Sequence, residues 1–136
     1  MTRRASILIC LINIVIIVDG TRRRNENQPV FLGEIPNLAH GTGGKVYAVD
    51  DHTIMIKNLY YDGEAPDAYF WSGTTNKPGV TGFPIPDENG KLKPLKEYRN
   101  ATVVLHLPQG KNVRNIKTIG LWCRKFQVNF GHVNLN

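Results

Sequence analysis

An all-β fold, an antiparallel β-sandwich or flattened barrel of short strands preceded by a signal-peptide helix, is predicted by three features of this 136-residue sequence. Short runs rich in Val, Ile, Tyr, Phe and Trp recur from Val30 onward, and Gly, Pro, Asn and Asp cut them at brief intervals. No segment holds a helical period of useful length. Gly 13 and Pro 8 supply many turns without reaching the low-complexity range. The length fits one domain, 41% hydrophobic residues can build a core, and two cysteines are too few for a disulfide scaffold.

Residues 1–20 read as a segment apart. Arg3 and Arg4 precede an apolar run from Ala5 to Val18, and Val18-Asp19-Gly20 offers a cleavage site, the layout of a secretory signal peptide. An uncleaved membrane anchor is the competing reading, but Asn13 interrupts the run and Arg22, Arg23 and Arg24 follow it, whereas a span needs about 20 apolar residues. Cleavage leaves a secreted chain with no membrane span. It removes Arg3, Arg4 and Asp19, which lowers the formal charge from +6 to +5, and it removes Cys10, which leaves Cys123 without an intrachain partner.

Residues 21–32 begin TRRRNENQ and read as a flexible basic leader, with the β domain at 33–136. Lys45 to Val49 and His52 to Leu59, joined at Asp50-Asp51, form the clearest hairpin. Ile54 and Ile56 share one face of its second strand and Thr53, Met55 and Lys57 the other. Further strands are predicted at Asp67 to Ser72, Thr102 to Leu107, Ile119 to Cys123 and Phe126 to Phe130. Consecutive Tyr69, Phe70 and Trp71 must point to alternating sides, so at least one large ring is expected to be exposed.

Three stretches carry a resemblance. They are Tyr61-Asp62-Gly63 with Pro66-Asp67-Ala68-Tyr69-Phe70, Leu107-Pro108 with Gly110-Lys111, and Leu121-Trp122-Cys123 with Asn129-Phe130-Gly131. In order and spacing the chain from about Gly33 to Val133 resembles the DM-thirteen domain family. The resemblance implies a mainly β extracellular or cell-surface module that takes part in electron transfer or oxidative modification through its cysteine, with haem as an alternative to a naked thiol. That family usually carries a DOMON domain beside this one. None follows here, so the implied redox partner is a separate, DOMON-containing or other extracellular protein. The family also implies a further alternative, a component of chromosomes and the spindle matrix. Ala65 stands where the family more often has Gly.

Cys123 is the candidate redox thiol, because the thiolate attacks disulfides and binds soft metals, and Arg124 and Lys125 beside it favour that anion. Strand alternation opposes this: Cys123 shares a face with Ile119 and Leu121, while Arg124 shares the other with Trp122. An inward cysteine packed as a small hydrophobe is therefore the rival reading, and with it a non-catalytic interaction or matrix domain. His40, His52, His106 and His132 show no metal-ligand spacing, and the C-x-x-C-H haem motif is absent, which leaves a noncovalent haem held by a His with Met55 or Cys123. Asp62, Glu64 and Asp67 form a weak calcium candidate, set against Asp62-Gly63 as an ordinary turn pair. Tyr60, Tyr61, Tyr69, Phe70, Trp71 and Trp122 read first as core. Asn100-Ala101-Thr102 is a glycosylation sequon.

Other classes fall away. Gly41-Thr42-Gly43-Gly44 lacks the ending of a phosphate loop and precedes a strand, and no nucleophile elbow is present. The basic residues are spread over the chain, so no specific nucleic-acid partner is expected. The expected protein is a redox-accessory or binding module rather than a free-standing enzyme.

Overall fold

The computed structural model describes residues 27–135. The expected signal peptide and residues 21–26 of the leader lie outside these. Eight strands are present: β1 (Val30–Ile35), β2 (Gly43–Asp50), β3 (Thr53–Tyr61), β4 (Ala68–Gly73), β5 (Phe83–Ile85), β6 (Tyr98–His106), β7 (Thr118–Cys123) and β8 (Val128–Asn134). They form two four-stranded antiparallel sheets, ordered β1-β2-β3-β6 and β5-β4-β7-β8. The predicted sandwich is what the chain adopts. Among the described residues no helix is long and apolar enough to cross a membrane.

Two strands exceed the expectation. β1 begins at Val30, inside the stretch read as leader, and Leu32 is an extra residue between the pairs Phe31–Tyr47 and Gly33–Val46, which hides the alternation. β5 is three residues with Pro84 in the middle, tolerated because this strand is an edge. The last strand is also displaced. Residues 124–127 turn, with Gln127 at φ 55°, and β8 starts at Val128, so Phe126 sits exposed on the turn and not in a strand.

The inward faces of the two sheets make one core. Val46, Ile54, Ile56, Leu59, Tyr61, Val103 and Leu105 from the first sheet meet Ala68, Phe70, Ile119, Leu121, Cys123, Phe130 and Val133 from the second. Ile54 and Ile56 are inward as alternation requires, but continued alternation would bring Asn58 and Arg99 inward. Two bulges prevent it. Between the pairs Ile56–Val103 and Leu59–Ala101 β3 has one residue more than β6, and between Leu59–Ala101 and Tyr61–Tyr98 β6 has one more than β3. Asn58 (φ 52°) and Asn100 (φ 50°) take the left-handed turns at these points, and the Asn58 side-chain amide donates to Asn100 Oδ1 at 2.7 Å. Leu59, Tyr61 and Tyr98 thereby return to the core.

β4 and β7 are buried at every residue, on both faces. Tyr69, Trp71 and Trp122 form a second cluster on the outer face, with the two indoles stacked 6.1 Å apart. The expected exposed ring is absent because the chain after β4 folds back across that face: Trp71 Nε1–H donates to the Gly79 carbonyl at 2.9 Å. Gly120 leaves room beside it for His132, whose Cα and Cβ lie 2.7 Å from where a Gly120 Cβ would stand. Asn129 Nδ2 and His132 Nδ1 lie 2.8 Å apart.

Two predictions follow from these features. Asn100→Ala forces an alanine into the left-handed region and removes the Asn58 bond, and is expected to destabilise by about 1–2 kcal/mol in denaturant unfolding, with Asn100→Gly costing less. His132 is held below the ordinary imidazole pKa by burial, opposed by a hydrogen bond that the ring donates to the Asn76 backbone carbonyl, with the Lys77 charge adding to the lowering. The folded state then binds its proton more weakly than the unfolded state. Its contribution to stability is complete above the unfolded imidazole pKa and is lost as pH falls through the lower folded value, so the melting temperature should drop from about pH 7 to 5 more steeply in the native protein than in His132→Gln.

Candidate functional site

Cys123 ends β7 on the inward face, paired with Ala68 on one side and Val128 on the other. It is a free thiol, 1% exposed. Beyond it the chain turns, and the turn stands away from the segments that follow β1 and β3. The result is a cleft of about 280 Å³ walled by Ala39, His40, Glu64, Ala65 and Pro66 on one side and Phe126, Val128 and Phe130 on the other, with Cys123 also lining it. The thiol thus belongs to the core by accessibility and to a cleft by position.

The polar side of this cleft is held rigidly. His40 takes a left-handed backbone (φ 58°), and its Nδ1 lies 3.0 Å from both carboxylate oxygens of Asp62. The Asp62 N–H donates back to the His40 carbonyl at 3.0 Å, and the Glu64 N–H donates to Asp62 Oδ1 at 2.9 Å. An ionised carboxylate only accepts, so Nδ1 carries the proton that points at Asp62. The imidazole also packs on Phe130 with ring centroids 4.4 Å apart and on Tyr61 at 6.1 Å. Tyr61 accepts from the Ala65 N–H at 3.1 Å, and burial pushes its phenol pKa up despite that bond.

Arg124 is committed to the opposite face. Its guanidinium lies 4.5 Å from the Tyr69 ring centroid, donates to the Tyr69 hydroxyl at 3.1 Å, and pairs with Asp67 at 3.3 Å. Alternation therefore separates it from the thiol, as the strand pattern implied.

The other singled-out residues are dispersed. Asp62 is engaged with His40 and Asp67 with Arg124, while Glu64 stands at the cleft. Among the described residues no three His, Cys, Asp or Glu side chains converge as a metal set, so the calcium candidate Asp62, Glu64 and Asp67 is not assembled. Asn100 is exposed at the β6 bulge. Met55 lies on the face of β3 opposite the inward Ile54 and Ile56, away from the cleft that His40 and Cys123 line, and a porphyrin outsizes that cleft of about 280 Å³, so the residues here do not fit haem. The His40–Asp62 pair was not legible beforehand. Its members are 22 residues apart, and no local period or motif joins them.

Comparison with known proteins bears on this arrangement. The family described as "Electron transfer DM13" matches residues 34–135. The chain is 48% identical over 106 residues to protein Skeletor, isoforms B/C, and to isoforms D/E, both of Drosophila melanogaster. That match covers 76% of this chain and only 14% and 7% of those two relatives. No solved structure matches the chain significantly. The β-sandwich with its unbridged cysteine belongs to the DM13 electron-transfer domain family.

Proposed function

We propose that the chain is an extracellular or cell-surface redox module in which Cys123 is the reacting thiol. The observation that carries this is the position of the one free cysteine among the described residues on a cleft that continues to the surface. The layout of residues 1–20 supports export, and in that compartment protein disulfides are the available oxidants. In the step proposed, the Cys123 thiolate attacks one sulfur of a disulfide on a partner protein. A new S–S bond joins the two proteins, the partner's own S–S bond breaks, and its released sulfur leaves as a thiolate that takes up the proton Cys123 lost. With one cysteine the module holds a mixed disulfide until a second thiol resolves it. A separate partner protein, DOMON-containing or otherwise, completes the exchange.

The rival, a non-catalytic interaction domain, draws on the 1% exposure of Cys123 and its membership of the main core. Native alkylation separates them. Iodoacetamide followed by mass spectrometry of the Cys123 peptide should show modification of the folded protein at a rate independent of low denaturant concentration, and glutathione disulfide should give a mixed disulfide at the same residue. A rate that rises in proportion to the unfolded population would overturn the redox reading, because the thiol would then react only through global opening.

A further inference from the structure

We propose that the cleft at Cys123 is a binding site for a single aromatic ring carrying a hydroxyl group, a neutral phenol. This rests on the redox reading of the cleft and adds the class of molecule that reaches it. Size sets the first limit. At about 280 Å³ the cleft is smaller than drug-sized pockets, yet it exceeds the apolar cavity of about 150 Å³ that takes up benzene in another protein.

The walls set the second. Phe126, Val128, Phe130 and Pro66 present apolar surface, and two of the four are rings. Aromatic guests pack against such rings in edge or offset geometry, and a thiol sulfur adds a favourable contact with a ring. Glu64 lines the same cleft, so an anionic guest meets a like charge there.

His40 sets the third. With Nδ1 given to Asp62, Nε2 has no hydrogen-bond partner among the described residues, and a hydroxyl, which can donate or accept, is the group that pairs with it. The mutual bond between the Asp62 N–H and the His40 carbonyl, and the packing of the ring on Phe130, fix that nitrogen in place. Benzene would fill the volume and leave Nε2 unpaired. Cyclohexanol would pair Nε2 without matching the rings. Benzoate would face the Glu64 carboxylate. A phenol meets all three conditions.

Titration of the full chain with phenol, benzene, cyclohexanol and benzoate, followed by amide NMR, tests the assignment. Phenol should give saturable shifts centred on Ala39, Ala65, Val128 and Phe130, with affinity about tenfold above each of the other three, the worth of one good hydrogen bond. Val128→Trp, at an exposed rim position, should abolish binding without disturbing the core. His40→Asn, which tolerates the left-handed backbone, should reduce phenol to the level of benzene. Bound phenol should also slow iodoacetamide at Cys123. Equal binding of cyclohexanol or benzoate, shifts elsewhere, or indifference to Val128→Trp would overturn the proposal. Native alkylation of Cys123 that phenol neither slows nor accompanies with shifts would sink this assignment alone, whereas phenol binding with an unreactive Cys123 would sink the thiol reading and leave the site.

Discussion

β4 and β7 form the centre of the second sheet and are buried on both faces, and most of the remaining architecture answers to that burial. Tyr69, Trp71 and Trp122 point away from the sandwich interior because Phe70, Leu121 and Cys123 point into it. Leaving three large aromatic side chains in water would cost about 1.5–3 kcal/mol each. The segment after β4 therefore lies back over them, fixed by the Trp71 bond to Gly79, and Arg124 covers Tyr69. The same alternation carries Cys123 inward at the last position of β7, where the strand ends and the packing of one sheet on the other opens.

The cleft arises from this ending. The polar half comes from the other sheet. β3 finishes at Tyr61, Asp62 follows it directly, and Asp62 meets His40 from the connection between β1 and β2. Gly131 lets these parts approach: it adopts φ 152°, and a Cβ there would strike the Pro36 carbonyl. The thiol comes from the end of β7, the imidazole from the connection between β1 and β2, and the carboxylate from the chain just after β3.

The DM13 electron-transfer family match spans Glu34 to Leu135, all of the sandwich except the first four residues of β1. The relatives matched are far longer than this chain, which spans 14% and 7% of their lengths, so the activities of those whole proteins do not transfer with the domain.

Much of this was written in local sequence. Ile54 and Ile56 alternating with Met55 and Lys57, the Asp50-Asp51 turn, and the aromatic runs at Tyr69 and Trp122 determined the sandwich and the face on which Cys123 lies, because strand periodicity is a property of neighbouring residues. β1 is hidden in the sequence because its bulge at Leu32 breaks the period, β5 because it is three residues around a proline, and the start of β8 because Gln127 turns in a left-handed conformation that its residue type does not announce. Only the tertiary structure decided that Trp71 and Trp122 are covered, that Asp62 serves His40 while Asp67 serves Arg124, and that the inward thiol borders a cleft. Each of these depends on residues far apart in the chain, and the physical reason is that coverage, ion pairing and empty volume are set by where two sheets stop packing together, which no single strand encodes.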